Sequence, residues 1–293
     1  AASITTADTM MRQGIPYIGR LFIGFSKPKF PITGTGFSGV IEGIGEKVTL
    51  FKVDDQVFGE SVFCSGSNAE YLCIAENGMI AHKPNNITYE QAAPLCDGAL
   101  TSLHFLRNVG KLQKGDHILI NGASGSLGCA AIQIAKRLGA QVTAVCSAGN
   151  AEMVRSLGAD SVIDYTKTDF AKSDFTKNGQ RFDVIYDTVG KRTFGDCKNS
   201  LLKYSRFISP VLSCQLLMQM LMTSLIGSKK AKFSATGTLP LPDLRILLDE
   251  LTLLVKSEIV TTVIDKCYTL GEIAVAHQYI EQGHKKGNVV LVL

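Results

Sequence analysis

The hydrophobic and polar positions along the chain follow two different periodicities. Up to about residue 94, short apolar segments alternate with glycine-rich turns, as in residues 38–42, 56–59 and 71–74. Short strands bounded by turn residues are typical of a barrel-like β-domain, and glycine suits its bulges and tight turns. We therefore expect the N-terminal third of the chain to form a β-domain.

Further along, apolar strand patterns alternate with helical ones. The predicted strands cover residues 117–121, 141–146, 161–165, 183–187 and 206–211. Between the first two, residues 126–138 place Leu127, Ala131, Ile134 and Leu138 on one helical face. Strand–helix alternation with short connections predicts a parallel sheet with right-handed crossovers, covered by helices on both faces.

The C-terminal part returns to a mixed pattern. Residues 242–256 and 271–282 are predicted helices, residues 260–265 an extended segment and residues 288–293 a last strand. The apolar run 212–226 is shorter than the roughly 20 residues that cross a bilayer. It predicts a buried helix and no membrane span, with a dimer contact or an apolar substrate wall as alternatives.

Composition narrows the classes of protein that remain. Hydrophobic residues make up 45% and charged residues 19% of the 293 positions, which indicates a folded globular protein rather than a disordered one. The net charge of +4 and the short lysine runs do not suggest nucleic acid as a partner. The eight cysteines are dispersed without a C-x-x-C pair, so we expect free thiols in a reducing cytoplasm and no metal site.

The most specific motif is the glycine-rich turn after the strand at residues 117–121. Aligned with the dinucleotide fingerprint G-x-G-x-x-G, it has a small alanine in the first position. A helix that starts at this turn would place its free N–H groups and dipole against a diphosphate. The predicted cofactor contacts in this turn are Ala123, Ser124, Gly125, Ser126, Leu127 and Gly128. A tight turn without a ligand is the alternative.

The residues after the other strands indicate which dinucleotide binds. No acid follows the second strand, whereas NAD sites usually carry one there to bind the ribose hydroxyls. Its absence favours NADP(H) over NAD. The predicted contacts are Ser147, Asn150, Tyr165 and Lys167 on the phosphate side, with Thr188 and Val189 after the fourth strand.

Four segments together resemble the medium-chain dehydrogenase/reductase family, and within it the zinc-free quinone oxidoreductase-like branch. They are residues 34–40, 92–106, 118–165 and 283–290. The resemblance implies an α/β fold with two domains and an active site in the cleft between them. A GroES-like β-domain would consist of residues 1–94 and 238–293, and a doubly wound Rossmann domain with a parallel sheet of residues 95–237.

The same resemblance assigns roles to individual residues. Zinc-dependent members carry a cysteine where this chain has Thr5, and a Gly-His-Glu turn where it has Gly34-Thr35-Gly36, so no catalytic zinc is expected. By position in the family pattern, Thr5, Asp8, Thr35 and Thr101 are expected near the nicotinamide or substrate, and Asn288 near the nicotinamide ribose. Members also carry a few dozen residues before the segment that matches residues 1–14, so the chain is expected to lack that beginning.

The function expected from these features is hydride transfer from NADPH to a small electrophilic substrate. Without a metal to polarise a simple carbonyl, a quinone or an α,β-unsaturated carbonyl is the better acceptor. A zinc-free NAD(P)-dependent alcohol or aldehyde oxidoreductase and a non-catalytic NADPH-binding sensor remain as alternatives. The resemblance also implies a homodimer, with residues 232–236 as an edge strand and residues 216–226 close by.

Overall fold

The computed structural model describes residues 1–15, 20, 24, 27, 29–61, 66–166 and 180–293. The chain divides into two compact units. The first consists of residues 1–100 and 239–293, and the second of residues 101–238.

Strands and helices are numbered in chain order. The strands are β1 Ala2–Ile4, β2 Gly36–Val40, β3 Gln56–Glu60, β4 Met79–His82, β5 His117–Asn121, β6 Gln141–Cys146, β7 Ser161–Asp164, β8 Phe182–Asp187, β9 Leu201–Ile208, β10 Lys230–Lys232, β11 Ile264–Thr269 and β12 Asn288–Val292. The α-helices with described bounds are α1 Thr6–Gln13, α2 Tyr89–Ala92, α3 Thr101–His104, α4 Ser126–Arg137, α5 Ala151–Ser156, α6 Phe194–Cys197, α7 Cys214–Leu225, α8 Leu241–Lys256 and α9 Ile273–Glu281. Two π-helical segments, Cys96–Leu100 and Phe105–Val109, flank α3.

The first unit joins both ends of the chain in one sheet. Its strand order is β11-β12-β1-β2-β3-β4, antiparallel except for the pair β11 and β12. Ala2 and Ile4 of β1 pack in a buried cluster with residues of β12 and α9. Because side chains alternate along a strand, Ser3 points to the opposite face. This placement brings Ser3 to the candidate site described below.

The second unit contains a parallel sheet in the order β10-β9-β8-β5-β6-β7. This order is that of the Rossmann fold, in which the chain reverses direction across the sheet between β5 and β8. Ligands of such sheets bind outside the carboxyl ends of the strands at this reversal. The prediction of a parallel sheet with Rossmann topology is confirmed.

One predicted strand is absent. Residues 71–74 form no strand, although Leu72 and Ile74 are apolar in alternation. Both side chains pack, partly buried, against the cluster that contains Phe37 and Ile80. The alternation therefore reflects packing on a sheet face rather than participation in the sheet.

Two further segments are shifted along the chain. The edge strand predicted at residues 232–236 is β10, which ends at Lys232 because the following residues turn away. There the Ser234 hydroxyl bonds the His104 ring at 2.9 Å, and Thr236–Thr238 forms a short 3-10 helix. The extended segment predicted at residues 260–265 is realised as β11, which pairs with β12. The other predicted elements agree with the observed ones apart from shifts at their ends.

The apolar run at residues 212–226 forms the expected helix, α7, but the prediction that it is buried is wrong. Within α7, Leu216 and Thr223 are the buried residues. The helix packs against the sheet edge through one side, where the β10 backbone N–H of Ala231 donates to the Thr223 hydroxyl at 3.1 Å. Five large apolar side chains on the other side are 48–77% exposed: Leu217, Met218, Leu221, Met222 and Leu225. In the described part of the chain, no helix is long and apolar enough to cross a membrane.

Candidate cofactor site and acidic site

In the second unit, the loop from β5 to α4 approaches the end of β8 closely. Gly122 has a φ of +76°, and a Cβ atom added there would lie 2.5 Å from Thr188 Oγ1 and from Val189 Cγ2. The Thr188 hydroxyl donates to the carbonyl oxygen of Asn121 at 2.7 Å. Gly122 is therefore required by backbone conformation and by space, and it fixes the carboxyl ends of β5 and β8 side by side.

The next two glycines of the loop differ in what surrounds them. A Cβ added to Gly128 would lie 2.5 Å from the Cα of Ala123, so this glycine lets α4 pack closely on the loop. A Cβ added to Gly125 would meet the Gly122 carbonyl oxygen at 3.5 Å, an ordinary contact. Gly125 is also the N-cap of α4 and makes no side-chain capping bond. The protein itself therefore does not require glycine at this position, and the partly exposed N-terminus of α4 fits a diphosphate that approaches closely.

The predicted adenosine-side contacts cluster at the ends of β5 and β6. The buried Asn150 side chain donates to the hydroxyls of Ser124 and Ser147, at 3.1 and 3.2 Å. The backbone N–H of Tyr165 bonds the carbonyl oxygen of Cys146 at 3.3 Å, which brings this tyrosine to the same edge of the sheet. Ser124, Ser147, Asn150 and Tyr165 are thus placed together, whereas Lys167 lies outside the described residues.

Charged residues near this edge were not singled out from the sequence. Burial raises the pKa of the Cys146 thiol, the charge of Asp164 raises it further, and the charge of Arg155 lowers it. Both Asp164 and Arg155 therefore lie near the end of β6. Arg155 could have been noted from the sequence, because it is a basic residue in the helix that follows β6.

The carboxylate of Asp187 organises the segment that contains Thr188 and Val189. It accepts bonds from the Asn121 amide at 2.8 Å and from the backbone N–H groups of Val189 and Arg192, at 3.2 and 3.0 Å. Asp187 is fully buried, and burial raises its pKa. Its role is to hold the loop after β8 in place.

The first unit contains the predicted reaction-site residues Thr5 and Asp8. Thr5 is the N-cap of α1 and forms a capping box with Asp8. Oδ2 of Asp8 accepts bonds from the backbone N–H of Thr5 at 2.7 Å and from its hydroxyl at 2.8 Å. Asp8 is fully buried, and burial, followed by the negative charge of Asp97, raises its pKa to about 7.

The Thr35 hydroxyl also donates to a carboxylate. It bonds Oδ1 of Asp97 at 2.9 Å, while Oδ2 of Asp97 accepts a short hydrogen bond from the Ser3 hydroxyl. A Cβ added to Gly36 would lie 2.5 Å from Ser3 Oγ and 2.6 Å from Asp97 Oδ2. Glycine at position 36 therefore leaves the space in which the Ser3–Asp97 bond forms.

We call the carboxyl groups of Asp8, Glu60 and Asp97 the acidic cluster, together with the hydroxyls of Ser3, Thr5 and Thr35 that bond Asp97 and Asp8. Burial, together with the charges of Asp97 and Asp8, raises the pKa of Glu60 to about 8. Burial raises the pKa of Asp97 as well, against the hydrogen bonds from Ser3 and Thr35 and the positive charge of Lys285. The sequence reasoning missed Ser3, Glu60 and Asp97 as site residues. The sequence did contain a signal for Asp97, because this residue is an acid within the otherwise apolar run 95–100.

The other two predicted residues lie elsewhere. Asn288 is at the start of β12 in the first unit, where its side chain donates to the Val263 carbonyl oxygen at 2.9 Å. Thr101 begins α3 in the second unit. Their proposed roles near the nicotinamide stay predictions.

Comparison with known proteins identifies the family. A sequence model described as zinc-binding dehydrogenase matches residues 157–291. The mouse protein named NAD(P)H oxidoreductase RTN4IP1, mitochondrial, is 33% identical over an alignment of 325 positions, gaps included. The alignment covers 99% of this chain and 79% of that protein. Trans-enoyl reductase pgmF of Aspergillus terreus is 36% identical over 200 residues, covering 66% of this chain and 54% of its own. The chain belongs to the medium-chain dehydrogenase/reductase family.

A solved structure supports the same assignment. Escherichia coli quinone oxidoreductase complexed with NADPH aligns with a TM-score of 0.82 and 25% identity, over 100% of this chain and 89% of that one. The predicted family and its combination of Rossmann and GroES-like folds are confirmed. This medium-chain dehydrogenase/reductase is therefore an oxidoreductase that uses a nicotinamide cofactor, which supplies a hydride when bound.

The name of the matched family model raises the question of zinc. Among the described residues, no group of three or more His, Cys, Asp or Glu side chains is arranged to hold a metal ion. Thr5 and Thr35, at the positions that the family pattern relates to zinc ligands, donate their hydroxyl protons to carboxylates. The described side chains therefore do not fit a catalytic zinc.

The close packing at Gly128 can be tested by stability. Gly128→Ala forces the loop and α4 apart and should destabilise the protein by about 1–3 kcal/mol. Gly271→Ala is the matched control, because nothing lies within 4 Å of a Cβ at that position. The measurement is the midpoint of urea unfolding for the three proteins. Equal midpoints for the two variants would contradict the packing argument.

The buried carboxyl of Asp8 should make stability depend on pH. Its pKa of about 7 in the folded protein is above the value of 3.8 for a free aspartate, so folding takes up a proton between these values. Stability should therefore fall as pH rises through this window, by up to about 1.4 kcal/mol per pH unit for one proton. Asp8→Asn should lose this part of the fall.

The measurement is thermal unfolding of wild type and Asp8→Asn at several pH values from about 5 to about 8. Asp116→Asn is a control variant, because Asp116 lies outside the acidic cluster and accepts a backbone bond from Gln113 at 2.9 Å. Parallel curves for wild type and Asp8→Asn would show that Asp8 does not hold the proton.

Proposed function

We propose that the protein catalyses NADPH-dependent, zinc-independent reduction of a quinone or an α,β-unsaturated carbonyl compound. The observation that carries the cofactor assignment is the site at the carboxyl ends of β5 and β6. There, Gly125 leaves space beside the N-terminus of α4, and the buried Asn150 amide holds the hydroxyls of Ser124 and Ser147 at the same edge of the sheet. These hydroxyls can bond a 2′-phosphate, and the positive charge of Arg155 near the end of β6 favours one, against the negative charge of Asp164.

The relatives favour NADPH and an electrophilic acceptor. The Escherichia coli structure contains NADPH and is a quinone oxidoreductase, and the Aspergillus relative is a trans-enoyl reductase. A quinone and a conjugated enone share one property: each accepts hydride at carbon while negative charge develops on oxygen. Hydrogen-bond donors that stabilise this charge are worth roughly 2.7–4 kcal/mol each, so this chemistry needs no Lewis acid.

The acidic cluster suits this reaction better than it suits a metal-dependent one. Its polar groups are hydroxyls and carboxyl groups, and two of the carboxyl groups have a pKa of about 7 and about 8. Near neutral pH such groups carry protons that can be donated. A zinc-free alcohol or aldehyde oxidoreductase is the second candidate, and acceptor specificity separates the two.

The test measures oxidation of NADPH and of NADH by the chelator-treated chain, with a quinone, an enone and an aldehyde in separate assays. We expect NADPH-selective turnover with the quinone or the enone that the chelator does not change. Turnover of the aldehyde alone would favour the second candidate. Activity that disappears on chelation would contradict zinc independence.

A matched pair of variants links activity to the proposed diphosphate site. Gly125→Ala should keep its unfolding midpoint close to that of wild type, yet weaken NADPH binding, because its Cβ would occupy the space proposed for the diphosphate. Gly271→Ala, in the first unit, should bind NADPH like wild type. Titration calorimetry with NADPH measures both, and unchanged affinity in Gly125→Ala would contradict the proposed position.

We also propose that the chain forms a homodimer through β10 and α7. The exposed residues Leu217, Leu221 and Leu225 follow helical spacing on a helix that packs beside the edge strand. An apolar stripe on the outer side of a helix that itself covers the sheet edge favours a second copy of the same chain as its cover.

Sedimentation at micromolar concentration tests this proposal. Wild type should sediment as a dimer, and Leu221→Glu should sediment as a monomer, because it places a charge in the proposed interface. Leu253→Glu is the control, since Leu253 is similarly exposed, at 63% against 59% for Leu221, and lies on α8 in the first unit. A monomeric wild type would contradict the dimer.

The relatives in mouse and other animals are named as mitochondrial proteins. The expectation of a cytoplasmic location therefore stays a prediction.

A further inference from the structure

Each carboxyl oxygen of Asp97 accepts a hydrogen bond from a side-chain hydroxyl. Thr35 donates to Oδ1 at 2.9 Å, and Ser3 donates to Oδ2. The three residues come from β1, from the residue before β2 and from the π-helix Cys96–Leu100. Ser3 is buried, whereas Thr35 and Asp97 are partly exposed. One end of this chain of hydrogen bonds is therefore buried, and the Thr35 end is accessible to a bound molecule.

The groups around Asp97 are mostly acids. Asp8 of α1, Glu60 of β3 and the buried Cys96 thiol face it, and Lys285 is the cation whose charge acts on it. Burial and the neighbouring carboxylates make it costly for all these acids to be ionised together. Protonation of its members lowers this cost, in agreement with the raised pKa values of Asp8, Glu60 and Asp97.

The protonation of Asp97 decides what Thr35 can do. A threonine hydroxyl has one proton to donate and lone pairs that accept. When Asp97 is ionised, the Thr35 proton is committed to it, and Thr35 can only accept a bond from a ligand. When Asp97 is protonated, its carboxyl can donate to Thr35 Oγ1, which frees the Thr35 proton for an acceptor oxygen.

We propose that Asp97 stores the proton for the reduction and delivers it through the Thr35 hydroxyl to the oxygen of the reduced acceptor. This inference rests on the proposed function. Thr35 would be the catalytic residue that touches the acceptor, and Asp97 the positioning residue that supplies and orients the proton. Ser3 holds the second oxygen of Asp97 in place.

Bound NADPH would supply a hydride with its electron pair to the acceptor carbon and leave as NADP⁺, and negative charge would then collect on the acceptor oxygen. The Thr35 O–H bond breaks as the acceptor O–H bond forms, and the Asp97 O–H bond breaks as a new Thr35 O–H bond forms. Asp97 is left as a carboxylate and takes a new proton from solvent before the next turnover.

Three variants and one control separate this role from a structural one. Asp97→Asn keeps the shape of the side chain but has no proton to give, so kcat should fall by ~10²–10⁴-fold with little change in the KM for NADPH. Thr35→Val should behave alike, and Thr35→Ser, which restores the hydroxyl, should recover most of the activity. Asp55→Asn, a partly buried aspartate outside the acidic cluster, should match wild type.

The pH profile adds a readout that loss of packing would not produce. In wild type, kcat should fall as pH rises and Asp97 ionises, and a solvent deuterium isotope effect should accompany turnover. In Asp97→Asn the fall with pH and most of the isotope effect should disappear. An Asp97→Asn variant that keeps the wild-type profile and rate would overturn the proposal.

A measurement that needs no substrate separates this proposal from the proposed function. Infrared spectroscopy of wild type should show protonated carboxyl groups that titrate above their ordinary range, and the Asp97→Asn signal should lack the contribution of one of them. If the signal is unchanged in the variant, Asp97 holds no proton and the relay is wrong, whatever the enzyme reduces. If wild type oxidises NADPH with none of the acceptors, the proposed function is wrong, and the infrared signal alone then decides whether Asp97 stores a proton.

Discussion

Burial of carboxyl groups beside one another is the constraint on which the candidate reaction site depends. Asp8 is fully enclosed and lies close enough to Asp97 for each negative charge to oppose the other. A cluster of this kind is stable only if it is satisfied by donors or loses charge. Its donors here are mainly hydroxyls, and a hydroxyl can bond a carboxylate as a donor or a carboxylic acid as an acceptor. Serine and threonine can therefore stay hydrogen-bonded to these carboxyl groups whether the carboxyl is ionised or protonated. A guanidinium group could not, because it only donates.

The cofactor unit depends on a steric constraint instead. At Gly122 and Gly128 the backbone of the β5–α4 loop is in contact with β8 and with itself, so these glycines belong to the fold. At Gly125 the surrounding protein leaves enough space for a Cβ atom. This distinction matters because a glycine fingerprint alone does not show which residue faces a ligand. The structure separates the two glycines that the packing requires from the one that a ligand would use.

The sequence predicted most of this architecture, because apolar periodicity is a local property. Strand–helix alternation gave the parallel sheet, and the fingerprint gave the position of the β5–α4 turn. Tyr71–Ile74 was misread, since alternation looks the same for a strand and for a segment packed on a sheet face. The exposure of α7 was missed for a related reason. An apolar helix indicates that its surface is packed against something, but not whether this is the rest of its own chain or another molecule.

The acidic cluster was beyond reach of local patterns for a different reason. Thr5, Asp8 and Thr35 were found through family resemblance, yet their partners Ser3, Glu60 and Asp97 come from separate elements. Only the pairing of β1 with β12 and β2 places Ser3 beside the π-helix that carries Asp97.

This long-range assembly also gives Thr5 and Thr35 a carboxyl partner at the two positions that the family pattern relates to zinc ligands. A carboxyl group behind each hydroxyl sets the direction of its proton, and the charge of that carboxyl is set in turn by its acidic neighbours. Under the proposed function, an acceptor oxygen that becomes negative would meet carboxyl groups whose pKa is raised and which can therefore give up a proton to it.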